Sequence, residues 1–280
     1  MITVLLGLAS SAAWGVSDFV AGLTSRRAPL LGVLVFSQAI GVLIALGIAA
    51  VRAEPSLSTA DIEWVVLSAI LGATGLGCLY RGLAIGRMGV VAPVTGVIVA
   101  VVPVTVGIAL DGIPAPAVVA GIALALASVV IVARVPGEIG GPASGLLWGV
   151  GAGTTLGVFT VTISRVSAGL VFGPLVLMRS VETLAFLAVI VLGRRAWRVP
   201  RTFWPALVVV GAMDMGATAA YIAATQAGPL AIAAVVSALY PVFTVLLAAV
   251  VLRERVTRIH ALGIAGAAVA IVLITGGSAG

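Results

Sequence analysis

The sequence predicts an all-α membrane protein of ten transmembrane helices, arranged as two inverted five-helix repeats. Of its 280 residues, 62% are hydrophobic and 9% are charged, whereas soluble domains carry roughly 25% charged residues. Apolar stretches of about 20 residues recur along the whole chain, and landmarks of the first half recur in the second. Helices are the expected spanning elements, because a helix satisfies its own backbone hydrogen bonds in lipid.

Ten apolar stretches are long enough to cross a hydrocarbon core of roughly 30 Å. The connections between them are too short to hold a separate soluble domain, so we expect one integral transmembrane domain. The predicted spans are residues 2–23, 30–51, 64–80, 88–110, 117–133, 145–163, 170–192, 203–225, 230–252 and 259–275.

The two halves of the chain, residues 1–136 and 137–280, are predicted to be related repeats. Residues 87–132 align without a gap to residues 229–274, and the pair Trp14-Gly15 recurs as Trp148-Gly149. Because five spans is an odd number, the second repeat must enter the membrane upside down. Inverted repeats are typical of secondary transporters.

The distribution of arginine supports this inversion. All fifteen basic residues are arginine, and twelve of them fall in the odd-numbered connections between spans. The even-numbered connections hold Arg52 and Arg165, and Arg179 lies inside a span. Since positively charged connections stay in the cytoplasm, we expect the odd connections to be cytoplasmic and both termini to lie outside.

Two stretches carry a family resemblance. Residues 231–244 read AIAAVVSALYPVFT, with Pro241 inside the ninth span, and residues 252–257 read LRERVT. Together with Trp14 and Trp148, they resemble the drug/metabolite transporter superfamily, in its EamA-type branch of ten-helix exporters. The resemblance implies export of amino acids, other metabolites or toxic compounds, and residence in a bacterial cytoplasmic membrane. The chain departs from the pattern at Ser37 and Gln38, where relatives often carry arginine.

Four ionisable side chains lie inside spans, namely Asp18, Arg179, Glu182 and Asp214. Each costs about 2.5–3.5 kcal/mol at a helix centre, so these groups should face protein or a water-filled cavity. Arg179 and Glu182 are three residues apart and share a helical face. They form either an internal ion pair or an anchor in which Arg179 binds an anionic group of the substrate.

The two aspartates also leave alternatives open. Asp214 is either a partner of Arg179 from another helix or a proton-carrying or amine-binding acid, with Thr218 and Tyr221 on its polar stripe. Asp18 could pair with Arg26 or Arg27 at the end of the first span. Coupling to protons is predicted for the acids Asp214, Asp18 and Glu182, with Asp214 as the first candidate and Asp18 as the second.

Aromatic residues complete the predicted binding site. The predicted substrate-binding residues are Trp14, Tyr80, Trp148, Arg179, Tyr221 and Tyr240. The glycine-rich stretch at 149–157 lies inside a span with no preceding strand, so it indicates close helix packing rather than phosphate binding. His260 is the only histidine, and no metal site or cofactor is expected.

The leading hypothesis is a secondary transporter that exports a small solute by alternating access. Because the sequence has no nucleotide-binding motif, the expected driving force is the proton gradient or exchange. A lipid or lipid-linked sugar translocator is the alternative, and a membrane enzyme is the remote one. The expected partners are a small-molecule solute, protons and the lipid bilayer, with no nucleic acid. We expect a monomer or a homodimer.

Overall fold

The computed structural model describes residues 1–85, 88–133, 145–253 and 258–277. Within these ranges the regular elements are helices and no strand occurs. The boundary predicted between the two repeats, after residue 136, lies outside the described residues. The α-helices are α1 Ile2–Ser25, α2 Leu30–Arg52, α3 Thr59–Ile85, α4 Met88–Asp111, α5 Pro116–Ala133, α6 Leu146–Ile163, α7 Phe172–Gly193, α8 Trp204–Gln226, α9 Leu230–Ser237, α10 Tyr240–Val251 and α11 Arg258–Gly277.

The apolar character of these helices identifies an integral membrane protein. Among the described residues, eight stretches are long and apolar enough to cross a membrane, and α9 with α10 counts as one of them. The stretches predicted as the fifth and tenth spans are helices too, but their apolar parts are shorter, Pro116–Ile131 and Ala261–Gly277. The all-helical class is therefore confirmed, and eight of the ten predicted spans are candidate membrane spans among the described residues.

The ninth predicted span is not one continuous helix. It breaks between α9 and α10, at Ala238 and Leu239. Pro241 explains the break, because proline has no N–H to bond the carbonyl four residues earlier and its ring crowds that carbonyl. At the break the Leu239 N–H instead bonds the Val236 carbonyl at 3.3 Å, one residue closer than in an α-helix.

Short connections make consecutive helices antiparallel, so the bundle has two faces. We call one the arginine-rich face, which holds the connections α1–α2 and α7–α8 with Arg26, Arg27, Arg194 and Arg195. The other, which we call the sealed face, holds the connections 53–58, 112–115, 164–171 and 227–229.

Helices of the two halves interlock rather than forming separate bundles. The largest packing interfaces between the halves join α5 to α11, α1 to α8, α3 to α6, α4 to α6 and α2 to α7. Small residues permit this close approach. At Gly211 of α8, a Cβ atom would lie 2.5 Å from the Ser37 carbonyl oxygen of α2.

Gly211→Ala should therefore destabilise the bundle by about 1–3 kcal/mol, because the added methyl meets backbone that cannot move aside. Gly216→Ala on the same helix is the control. No described atom lies within 4 Å of its Cβ position, and alanine favours helix by about 1 kcal/mol. Thermal unfolding of the detergent-purified variants measures both changes. A Gly211→Ala protein as stable as Gly216→Ala would contradict the packing.

Candidate functional site

A cavity of about 710 Å³ extends from the arginine-rich face to the middle of the bundle. Arg26, Leu30 and Leu252 line it near that face. None of its described lining residues belongs to the connections of the sealed face. Its polar and aromatic lining near the middle of the bundle includes Trp14, Asp18, Gln38, Thr160, Arg179, Glu182, Asp214, Thr218, Tyr221, Ser237 and Tyr240.

Arg179 of α7 lies at the inner end of this cavity and is 4% exposed. Its Nη1 atom is 2.8 Å from the Asp214 Oδ2 atom and 3.0 Å from the Glu182 Oε2 atom. The same nitrogen donates to the Gln38 side-chain oxygen at 2.8 Å. One cation therefore contacts acceptors from α2, α7 and α8, and two of these are carboxyl groups.

The remaining nitrogens of Arg179 are also enclosed. Nη2 donates to the Thr218 hydroxyl at 2.8 Å and to the Asp214 carbonyl at 3.2 Å. The Nε atom is buried and has no hydrogen-bond partner among the described residues. Of the two alternatives for Arg179, this geometry favours the internal ion pair over an anchor for an anionic substrate.

Asp214 is held from two sides. One carboxyl oxygen, Oδ2, contacts Arg179, and the other, Oδ1, accepts from the Trp14 indole N–H at 3.2 Å. The Asp214 side chain is still 24% exposed. No basic residue lies within a turn of Asp214 on α8, but the fold brings Arg179 to it from α7. The structure thus forms the interhelical pair that was one of its two predicted roles.

Asp18 occupies a different environment from Asp214. Its side chain is exposed and lines the cavity. The pairing with Arg26 or Arg27 considered from the sequence is not present, because Asp18 has no ion pair within 4.0 Å among the described residues. The separation explains this: Arg26 lies eight residues farther along α1, about 12 Å at 1.5 Å per residue.

Aromatic rings surround the two aspartates. The Trp14 ring centroid lies 5.8 Å from that of Tyr221 and 6.5 Å from that of Tyr240. Tyr221 is 1% exposed, and its hydroxyl donates to the Thr160 carbonyl at 3.1 Å. Beyond it, toward the sealed face, lies a cluster of buried apolar side chains that includes Val65, Ile163 and Leu170.

One predicted substrate-binding residue is not part of this arrangement. Trp148 is 38% exposed and does not line the cavity. It lies in the first turn of α6, whereas Trp14 lies midway along α1, so the matched positions have different depths. The side chains of Tyr80 and His260 lie outside the described residues.

The sequence reasoning missed three polar residues of the site. The Gln38 side-chain oxygen accepts a hydrogen bond from Arg179, and the Thr160 carbonyl accepts one from the Tyr221 hydroxyl. Ser237 lies at the break after α9. The signal for Gln38 was available, because an amide inside an apolar span needs a partner. Thr160 contributes only its backbone carbonyl to Tyr221, so no side-chain pattern could have found it.

A second, smaller pocket of about 160 Å³ lies at the sealed face. Its lining includes Asp111 and Arg165. It does not share a described lining residue with the large cavity. The large cavity, with its acids and aromatic rings, is therefore the candidate site.

Comparison with known proteins found one family match and a solved structure of similar fold. Residues 143–276 match the EamA-like transporter family. This confirms the resemblance predicted from the sequence to the drug/metabolite transporter superfamily, of which the EamA-like family is part. The EamA-like match and the apolar helices together support a membrane transporter.

A solved structure titled "Crystal structure of protein" extends the comparison beyond the EamA-like half. It shares 18% sequence identity with this chain, and the TM-score is 0.75. The alignment covers 98% of this chain and 96% of the other. At this identity the likeness shows the fold alone. No curated protein matches the chain.

Arg179→Gln should lower the stability of the folded protein, because it leaves the buried Glu182 carboxyl group and the partly buried Asp214 carboxyl group without their cation. Breaking a buried ion pair from one side costs about 3–5 kcal/mol. The double variant Arg179→Gln with Glu182→Gln should recover part of this loss. Purified yield and thermal unfolding measure both effects, with the exposed Arg195→Gln as the matched control.

A different result would support the anchor role instead. If Arg179→Gln unfolds at the same temperature as the unmodified protein and loses only solute binding, Arg179 acts on the substrate. The ion-pair interpretation of its contacts would then be wrong.

Proposed function

We propose that the protein is a secondary transporter that exports a small metabolite or a toxic compound by alternating access. One observation carries this proposal. A cavity with a polar centre reaches the arginine-rich face, while apolar packing separates it from the sealed face. A volume of about 710 Å³ lies within the range of small-molecule sites, roughly 300–1,000 Å³.

The two halves, residues 1–136 and 137–280, are proposed to be inverted repeats that rock against each other. The packing supports this. If α6, α7 and α8 are the counterparts of α1, α2 and α3, then the interface of α1 with α8 corresponds to that of α6 with α3. In the same way, α2 with α8 corresponds to α7 with α3, and α2 pairs with its own counterpart α7.

Hydrogen bonds between the two halves at the sealed face, which we call latches, support a proposed gate there. Glu54, after α2, accepts the backbone N–H groups of residues 171–173 at the start of α7, at 2.8 to 3.2 Å. Asp61 accepts from the Ser167 N–H at 2.9 Å, and Asp111 accepts from the Leu230 N–H at 3.0 Å. Each latch joins one half to the other, and water can replace a hydrogen bond at an exposed helix end when the halves separate.

The arginine distribution sets the proposed orientation. With the arginine-rich face in the cytoplasm, the cavity reaches the cytoplasmic side and both termini lie outside. A solute would enter from the cytoplasm, and opening of the sealed face would release it outside. The proposed location is a bacterial cytoplasmic membrane.

Proton coupling is the proposed driving force, with exchange as the alternative. A coupling acid must reach water and must not be tied to a fixed cation. Asp18 meets both conditions better than Asp214, because Asp214 is bound by Arg179 and Trp14. We therefore place Asp18 first and Asp214 second as the coupling residue, the reverse of the order expected from the sequence.

A disulfide across the sealed face should stop transport. A Cβ atom at Gly228 would lie 3.4 Å from the Thr3 Cβ atom of α1, close to the disulfide range of about 3.5–4.5 Å. In a Cys78→Ser background, the pair Thr3→Cys and Gly228→Cys should lower uptake to that of protein-free liposomes when oxidised. Reductant should restore it.

The solute for this assay comes from a screen of mixed metabolites in proteoliposomes, read by mass spectrometry. Each single-cysteine variant is the control and should transport normally under oxidant. Full transport by the verified disulfide would contradict alternating access at this face. If no solute of any charge moves with the unmodified protein, the transporter proposal itself fails.

Asp18→Asn should remove the effect of an imposed pH gradient on transport, because the amide cannot carry a proton. Asp214→Asn should reduce transport at every gradient, since it unpairs Arg179. Accumulation is measured in proteoliposomes at solute concentrations that saturate each variant. Glu63→Gln, at an exposed acid of α3, is the control. Gradient-driven accumulation that survives in Asp18→Asn would exclude Asp18 as the coupling site.

A further inference from the structure

The charge balance of the cavity indicates which solutes it can bind. Three carboxyl groups line it, from Asp18, Glu182 and Asp214, against two arginines. Arg26 lies at the mouth and Arg179 at the inner end. Since Arg179 is already paired with Glu182 and Asp214, the inner part of the cavity has no free cation among the described residues and one free carboxyl group.

That carboxyl group, on Asp18, is positioned for a ligand. It is exposed within the cavity and lies one helical turn after Trp14, so the two side chains share a face of α1. The guanidinium of Arg179 cannot serve an incoming anion in the same way, because Nη1 and Nη2 already donate to protein acceptors. The accessible charge of the site is therefore negative.

Aromatic rings add to this preference. Trp14 and Tyr240 both line the cavity, with their ring centroids 6.5 Å apart and their planes at 74°. The face of an aromatic ring attracts cations, and the attraction strengthens where water is excluded. A flat apolar group can pack on the same rings.

Two prolines each remove the N–H donor that a helical carbonyl oxygen would otherwise bind. Pro103 in α4 has no N–H for the carbonyl of Val99, and Pro241 has none for the carbonyl of Ser237. Val99 and Ser237 both line the cavity. The Ser237 hydroxyl is also buried, at 1% residue exposure, without a hydrogen-bond partner among the described residues. Carbonyl and hydroxyl oxygens accept hydrogen bonds from an ammonium group.

We propose that the transported solute is an organic cation, an amine with an aromatic or apolar body, whose charged group binds Asp18 while its body packs on Trp14 and Tyr240. This inference rests on the proposed transporter function and names the substrate class of the same cavity. Carboxylates and phosphates are poor ligands here, because the accessible acid repels them and the buried arginine is occupied.

A charge series tests this on the unmodified protein. The probes are 2-phenylethylammonium, 3-phenylpropanamide and 3-phenylpropionate, which share a phenylethyl body and differ in charge. Isothermal titration calorimetry on detergent-purified protein measures their affinities. We expect the ammonium to bind at least about tenfold more tightly than either other probe, because only the ammonium can pair with the accessible carboxyl group of Asp18.

Variants of Asp18 then test whether its carboxyl group binds the ammonium. Asp18→Asn should remove the preference for the ammonium, and Asp18→Glu should keep it. Glu63→Gln, which lies outside the cavity, is the matched control and should bind like the unmodified protein. The charge series needs no variant, so it decides the question even if Asp18→Asn fails to fold.

Three results would overturn the proposal. They are 3-phenylpropionate bound as tightly as 2-phenylethylammonium, binding of none of the probes, or a folded Asp18→Asn protein that keeps the full preference for the ammonium. These are separable from failure of the transporter function. Transport of an anionic metabolite found in the liposome screen, without ammonium binding, would overturn the substrate class and leave the transporter role intact.

Discussion

The ion pairs between Arg179 and the carboxyl groups of Asp214 and Glu182 are the constraint on which the rest of the site depends. A buried charge without a partner costs several kcal/mol, so α7 and α8 must stay together wherever Arg179 is buried. This contact holds the inner end of the cavity. It also leaves Trp14 bound to the second oxygen of Asp214, which positions α1 against α8.

The two faces of the bundle are closed by different kinds of interaction. The sealed face combines apolar packing with carboxyl groups that bind backbone N–H groups across the halves, as Glu54 does at the start of α7. The arginine-rich face leaves an opening lined by Arg26 and Leu252. Because helix ends can bind either protein or water, the hydrogen bonds of the latches can be replaced by bonds to water when the halves separate. Such a face suits a gate.

The break between α9 and α10 shows how one residue affects both the helix and the site. Pro241 interrupts the helix beside the cavity, and Ser237 and Tyr240 on either side of the break line it. Irregular backbone at membrane depth is tolerated where it lines a cavity. A discontinuous helix at the centre of a bundle is typical of transporter binding sites. The break therefore places Ser237 and Tyr240 beside the cavity, where the proposed solute would bind.

The sequence by itself determined the class of protein, the position of nearly every helix and the four charged residues inside the bundle. These follow from local properties, namely apolar length and the cost of a charge in lipid. It could not determine which acid Arg179 binds, because that depends on how α7 and α8 approach each other. Among the described residues Asp18 has no ion-pair partner and Asp214 is bound, although both are lone aspartates in apolar helices. The depth of Trp148 also depended on where α6 begins. Only packing between helices distant in sequence decides such pairings, since charge pairing acts over a few ångströms in space and has no trace in residue spacing.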